Sequence, residues 1–268
     1  YNPHSVISKI NANDSLVVID SLFTYFFRKS EYFSSITNGA FDVTVSPIVN
    51  AWKFGFKNDS LIPTQSKIDS LLKYVGKNKI KLHDGKIIKQ NKNVQIISNA
   101  IAQGLSVDVV CKFLDSKGIA NYLVDIGGEM RAKGHNSKNK LWTIGITNPT
   151  ESQDSIQQYD SYTTTVELDN KSLATSGNYR KFYVENGKKY SHTIDPHSGY
   201  PVRHNLLSAT IITNECIDAD ALATACMVMG LEKSKEFLNR YPQFQAVLIY
   251  DFQDSLHIFR TSNLQVGK

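Results

Sequence analysis

Long apolar runs are missing from this 268-residue chain. None approaches the roughly 20 residues that a bilayer-spanning helix needs. Cysteine is scarce as well. Cys111, Cys216 and Cys226 stand far apart and show no metal-ligand spacing. Cys111 and Cys226 fall within apolar helical patterns, so both read as core residues. The G-x-G-x-x-G and Walker spacings are absent, which excludes the commonest glycine-loop nucleotide sites. No dense run of Lys or Arg exists. The 30 basic and 25 acidic residues leave a net charge of +5 and a pI near 8.9, with the lysines scattered among Asn and Ser. That pattern argues against nucleic acid, while a modest positive field still favours an anionic ligand. There is no internal repeat and no low-complexity linker. Hydrophobic content of 41% and charged content of 21% are ordinary for a globular protein of this length.

What the chain does have is one dense stretch, residues 190–230, around which the rest is organised. His192, Asp195, Pro196, Gly199 and Pro201 lie within ten residues of one another, which is turn chemistry enclosing a histidine and a carboxylate. LLSATIIT follows, apolar and β-branched, and predicts a buried strand. IDADALATACMVMG then predicts a helix over 218–229, with Asp218 as its cap and Gly230 as the glycine beyond its end. Asp220 and Thr224 are four residues apart, so both side chains leave one face of that helix. A carboxylate and a hydroxyl are hard oxygen ligands, suited to a cation such as Mg²⁺. The same spacing also fits a helix-start aspartate followed by a small packing residue.

Elsewhere the patterns alternate between the two periods. Ser5 predicts a short helix cap. A helix is expected over 15–30, capped by Asn13 or Asp14. Ser46-Pro47 begins another, and a third is expected over 64–74. Residues 79–90 read as a hairpin about Asp84-Gly85, and 180–194 as a hairpin about Asn186-Gly187. Residues 94–119 read as a strand, a small-residue turn and a long helix ended by Gly118. Residues 121–134 read as a strand broken by Gly127-Gly128. The phrases 141–147, 163–177 and the two closing runs QAVLIYD and LHIFRT read as strands. Helices and strands mix without regular βαβ alternation, which predicts an α+β fold: a single large domain of mixed, mostly antiparallel sheets with packed helices. Gly127-Gly128 and Thr175-Ser176-Gly177 could bring backbone close to a ligand or could be ordinary turns. The small residues Ala100 to Gly104 open a helix, either as an anion site or for close packing. His192 taken alone fits a structural role as well as a catalytic one.

Four ordered phrases resemble the FAD:protein FMN transferase family, once called thiamine-biosynthesis lipoproteins. They are NGAFDVTVSPIVNAWKFG, NAIAQGLSVD with VDIGGEMRAKG, LATSGNYRKF with YSHTIDPHSGYPV, and DADALATACMVMG. The early phrase YNPHSVISKIN is similar too, so the resemblance runs from residue 1 to roughly 250. It implies a single family domain over 1–268 that lacks the family's first strand, the sequence starting inside the domain. It also implies Mg²⁺-dependent transfer of the FMN half of FAD to a Thr or Ser hydroxyl of an acceptor protein, with release of AMP. The metal would be held by Asp220, Thr224 and the backbone carbonyl of Ala100. FAD would lie against Ala40, Phe41, Asp42, Gln103 and Ile194, with Tyr1 where the family places an aromatic beside the isoalloxazine. His192 would be the catalytic histidine, drawing a proton from the attacking hydroxyl or steadying the phosphoryl group. Two alternatives stay open: a FAD pyrophosphatase giving FMN and AMP, and a flavin-binding protein without chemistry. Ile97 stands where many members carry Asp, and Gln103 where many carry Lys. The resemblance further implies a periplasmic, lipid-anchored lipoprotein.

Overall fold

The computed structural model describes residues 2–52, 54, 62–149, 162–178, 182–185 and 188–264. Two compact units emerge, one formed by Tyr1–Ala100 with Phe182–Arg203 and one by Ile101–Lys181 with His204–Lys268.

In the first unit, α1 (Val6–Asn11) starts on the Ser5 cap, whose hydroxyl accepts from Ser8 N–H. The next helix, α2, spans Ser21–Ile36. Its cap is Asp20, whose carboxylate accepts from Phe23 N–H at 2.7 Å, rather than Asn13 or Asp14. Asn13 has a positive φ of 65° that closes α1, and Asp14 bonds its own turn at Leu16 N–H, so the apolar run enters α2 six residues late. α3 (Ser46–Ala51) carries its proline at the helix start, and α4 (Gln65–Leu72) is capped by Thr64. β1 (Ile80–His83) and β2 (Lys86–Lys89) form the expected hairpin, with Asp84 and Gly85 both at positive φ as a tight primed turn requires. The strand expected at the start of the 94–119 phrase does not form. Ile96 N–H goes to the Asn11 side chain and Ile97 N–H to Val43 O, single anchors rather than a ladder.

In the second unit, α5 (Ala102–Ser116) ends before Gly118, φ 73°. β3 (Tyr122–Ile126) and β4 (Glu129–Lys133) pair antiparallel, so Gly127-Gly128 is a hairpin turn rather than a break within one strand. β5 (Trp142–Thr147) pairs with β6 (Tyr162–Leu168), and β7 (Ser172–Gly177) joins the main sheet. In the first unit again, β8 (Phe182–Glu185) and β9 (Lys188–Ser191) form the expected hairpin; its Asn186-Gly187 turn lies outside the described residues.

Back in the second unit come β10 (Leu206–Thr213), α6 (Cys216–Met229), α7 (Leu231–Arg240), β11 (Gln245–Phe252) and β12 (Ser255–Arg260). The main sheet runs β12-β11-β10-β7-β4-β3 and is antiparallel throughout. β10 is central and buried at seven of its eight positions, which explains its unbroken apolar run. One apolar layer joins Ile212, Val247 and Ile249 of the sheet to Ile144 and Val166 of the β5–β6 pair. α6 is apolar and small almost all round, with ten of its 14 residues buried, and lies against β7, β10 and α5. A helix without a polar face belongs inside a fold, and its alanines permit close approach. The α+β class with antiparallel sheets and packed helices is therefore observed.

Candidate active site

The residues singled out in the sequence divide between the two units. In the first, Ala40, Phe41 and Asp42 are buried, at 5%, 2% and 8% exposure. The Asp42 carboxylate caps a short 3-10 turn at 43–45, accepting from Thr44 N–H at 2.7 Å and from its hydroxyl at 2.5 Å. Burial pushes its pKa up, against those two bonds and the nearby His197. Ile194 is buried in a cluster with Ile48, Trp52 and Ile68. His192 is half-buried, its ring edge-on to Phe54 with centroids 6.4 Å apart. Ala100 is a half-buried turn residue just ahead of α5.

The carboxylate of the signature turn proves structural. Asp195 accepts from His197 N–H at 3.0 Å and from the Ser198 hydroxyl at 2.8 Å, and it meets the His197 ring at 3.1 Å. Burial would raise its pKa, but these bonds outweigh it and hold the carboxyl below its usual range. The other ring nitrogen of His197 lies 2.8 Å from Asn38 O, and the Trp52 indole donates to Gly199 O at 2.7 Å. His197 and Asp195 thus tie the signature turn to the Asn38-Gly39 turn, presenting His192 and Ile194 from a fixed frame. Tyr1 lies outside the described residues.

In the second unit, Asp220 and Thr224 leave α6 one turn apart, on its second and third turns, because the helix starts at Cys216. Asp218 is accordingly within the first turn, and the N-cap is Glu215, whose side chain makes no capping bond. Asp220 is only 5% exposed. Its Oδ2 accepts from Gly104 N–H, at the third position of α5, at 3.0 Å. Burial raises its pKa to about 7, with the Gly104 bond pulling the other way. No Lys, Arg or His pairs with this carboxylate among the described residues. Thr224 Oγ1 lies 3.3 Å from Ser176 Oγ of β7. Ser176 is the residue that sequence reasoning missed at this place. Thr175-Ser176-Gly177 is a strand paired with β10, not a turn, and strand alternation turns Ser176 toward α6.

These oxygens fit a hard cation. One carboxylate and two hydroxyls are the donor chemistry of Mg²⁺, and among the described residues no cationic side chain offsets the buried carboxylate. Among the described residues no group of three or more His, Cys, Asp and Glu could form an all-protein metal cage. A cation here would therefore share its coordination with a ligand or water, the usual habit of Mg²⁺. Gln103 is exposed, its amide 3.4 Å from Ile126 O. A side chain at Gly127 would meet the Gln103 amide at 2.3 Å, so that glycine gives Gln103 its place over the β3–β4 turn.

The fold has known counterparts. The solved Flavin Transferase ApbE from Vibrio cholerae superposes with a TM-score of 0.85 and 31% identity, covering 98% of this chain and 82% of that one. The flavinyl transferase ApbE of Pseudomonas stutzeri gives 0.85 and 29%, covering 98% and 80%. Among sequences, the FAD:protein FMN transferase of Vibrio cholerae is 37% identical over 201 residues, 75% of this chain and 58% of that protein. The Haemophilus influenzae protein of the same name is 35% identical over 244 residues, 88% of this chain and 69% of that one. The chain thus spans less than two thirds of the Vibrio cholerae relative's length. The fold is that of the flavin transferases. A family model described as the ApbE family matches residues 1–248, and the chain belongs to that family.

Proposed function

We propose that the chain transfers the FMN half of FAD to a Thr or Ser hydroxyl of an acceptor protein and releases AMP. The observation that carries this reading is Asp220: a buried carboxylate without a cationic partner among the described residues, one turn before Thr224 on a helix of an ApbE-family fold. FAD:protein FMN transferase is the name its curated relatives bear.

In the proposed reaction the acceptor hydroxyl oxygen forms a bond to the phosphorus on the FMN side. The bond from that phosphorus to the bridging oxygen breaks, and AMP leaves with the bridging oxygen. A Mg²⁺ held by Asp220 and Thr224 would offset charge on the pyrophosphate. His192 takes the hydroxyl proton as oxygen attacks, its ring oriented by Phe54 and by the turn that Asp195 and His197 fix. Asp42, Phe41, Ala40, Gln103 and Ile194 contact FAD in this reading. Burial of the 40–42 turn suits it to a fixed wall rather than a mobile clamp. An extracytoplasmic setting with lipid anchoring completes the proposal and rests on the family resemblance.

The test is mass spectrometry of an acceptor peptide bearing a Thr or Ser, incubated with FAD and Mg²⁺. The peptide should gain the mass of FMN, with one AMP per modified peptide. AMP release that proceeds equally without acceptor would make the chain a pyrophosphatase instead. His192→Ala should slow transfer by about 10²- to 10⁴-fold, the usual worth of a positioned base. FAD binding, followed by flavin fluorescence, should change little. An undiminished rate would remove His192 from the chemistry.

A further inference from the structure

We propose that Asp108, on α5, is a positioning residue that sets the pose in which α6 presents Asp220 and Thr224 to a divalent cation. The proposal rests on the reading of Asp220 and Thr224 given above. Asp108 is buried, 1% exposed, and its two oxygens reach the open end of α6. Oδ1 accepts from Cys216 N–H at 3.0 Å, and Oδ2 from Ile217 N–H at 2.9 Å. Those are the first two amides of α6, left without partners inside the helix and uncapped by Glu215. The Arg131 guanidinium, from β4, donates to Oδ1 at 3.1 Å and holds the carboxylate aimed at α6.

The capping is reciprocal. α5 also lacks a capping side chain of its own, since its N-cap is Ile101. Asp220 supplies one by accepting from Gly104 N–H. Each helix therefore carries the carboxylate that closes the other's start, and the two anchors lie at different heights along the pair. Two such bonds set both the spacing and the rotation of α6 against α5. Gly104 tightens the fit, since a Cβ there would lie 2.3 Å from Cys216 O. Loosening the Asp108 end frees α6 to rotate about the Asp220 bond. Asp220 and Thr224 then shift together relative to Ser176 of β7 and to the Gly104 amide, and the oxygen set offered to the cation loses its geometry.

The experiment measures Mn²⁺ binding to the full chain with FAD, from the loss of the free-Mn²⁺ electron paramagnetic resonance signal. Asp108→Asn should weaken Mn²⁺ binding at least tenfold. Val247→Ala in β11, a core truncation that also lowers the thermal midpoint, should bind Mn²⁺ as the parent does. Should Asp108→Asn fail to fold, Arg131→Met removes the guanidinium that holds Oδ1 while leaving the carboxylate both amides to accept from, and should weaken binding at least threefold. Binding by either Asp108→Asn or Arg131→Met within twofold of the parent overturns the positioning role. So does an equal loss in Val247→Ala, which would make the effect one of stability alone. Asp220→Asn separates the two levels of argument. If it binds Mn²⁺ like the parent, the cation site itself is misassigned and the role of Asp108 falls with it.

Discussion

Asp220→Asn should all but abolish cation-dependent transfer, by the order of 10³-fold or about 4 kcal/mol of transition-state stabilisation. It should also make the cation-free protein more stable at pH 8. The two effects have one cause. Burial raises the Asp220 pKa from 3.8 to about 7. Between those values the folded protein holds a proton that the unfolded chain has released, so stability contributed by this group at low pH is lost as pH rises toward 7. Above that the carboxylate is charged within a site that solvates it poorly. Each pKa unit is worth about 1.4 kcal/mol, so removing the charge should return a few kcal/mol at most. Asparagine keeps an oxygen for the Gly104 amide and so isolates the charge. The measurement is thermal unfolding of both proteins from pH 5 to 8, without and with Mg²⁺. The parent should lose stability with pH and regain it with Mg²⁺ and FAD, because cation binding requires the ionised form. The variant should show neither trend. A midpoint that falls in Asp220→Asn at pH 8 would show that the charge stabilises the cation-free fold, contrary to this account.

Gly104→Ala should be the most damaging single-methyl change in the second unit. In an open helix, Ala in place of Gly gains about 1 kcal/mol. Here the added carbon would stand 2.3 Å from Cys216 O, 2.7 Å from its carbonyl carbon and 2.9 Å from Asp220 Cβ. Two of those atoms are backbone and cannot turn aside, so α5 and α6 must separate. Overpacking of this kind costs about 1–3 kcal/mol and occasionally more, and the lost helix contact adds to it. The thermal midpoint should fall by several degrees, at about 2–4 °C per kcal/mol for chains near this size. Separation of the helices also breaks the Gly104 bond to Asp220, so Mg²⁺ dependence should shift to higher concentration. A midpoint equal to or above the parent's would show that the helix pair has room the structure does not reveal. Ser106→Ala, on the exposed face of α5, is the comparison and should change neither quantity.

Sequence signals match the structure where the physics is local. The cap at Ser5, the proline at the start of α3, the Asp84-Gly85 hairpin and the glycine after α6 all depend on a few neighbouring residues. Sequence and structure differ where a distant group supplies the bond. The neighbouring residues point to Asp218 as the start of α6, whereas the helix begins at Cys216, whose amide is capped by Asp108, 108 residues earlier. The strand expected at the start of the 94–119 phrase had the composition for a ladder but found only isolated partners in Asn11 and Val43. Asp195 is read in the sequence only as a carboxylate within a turn, and its bonds to His197 and Ser198 make it the brace of that turn.

By itself the sequence determined the α+β class, the placing of Asp220 and Thr224 on one helix face, and the family, because periodicity, turn residues and ordered motifs are written in neighbouring letters. Only the tertiary structure decided which carboxylates close which helices, that Ser176 joins Thr224, and that Asp220 is buried enough for its proton to be held near neutrality. Those properties come from surfaces brought together across a hundred residues, where burial and hydrogen bonding act on a side chain without regard to its place in the chain.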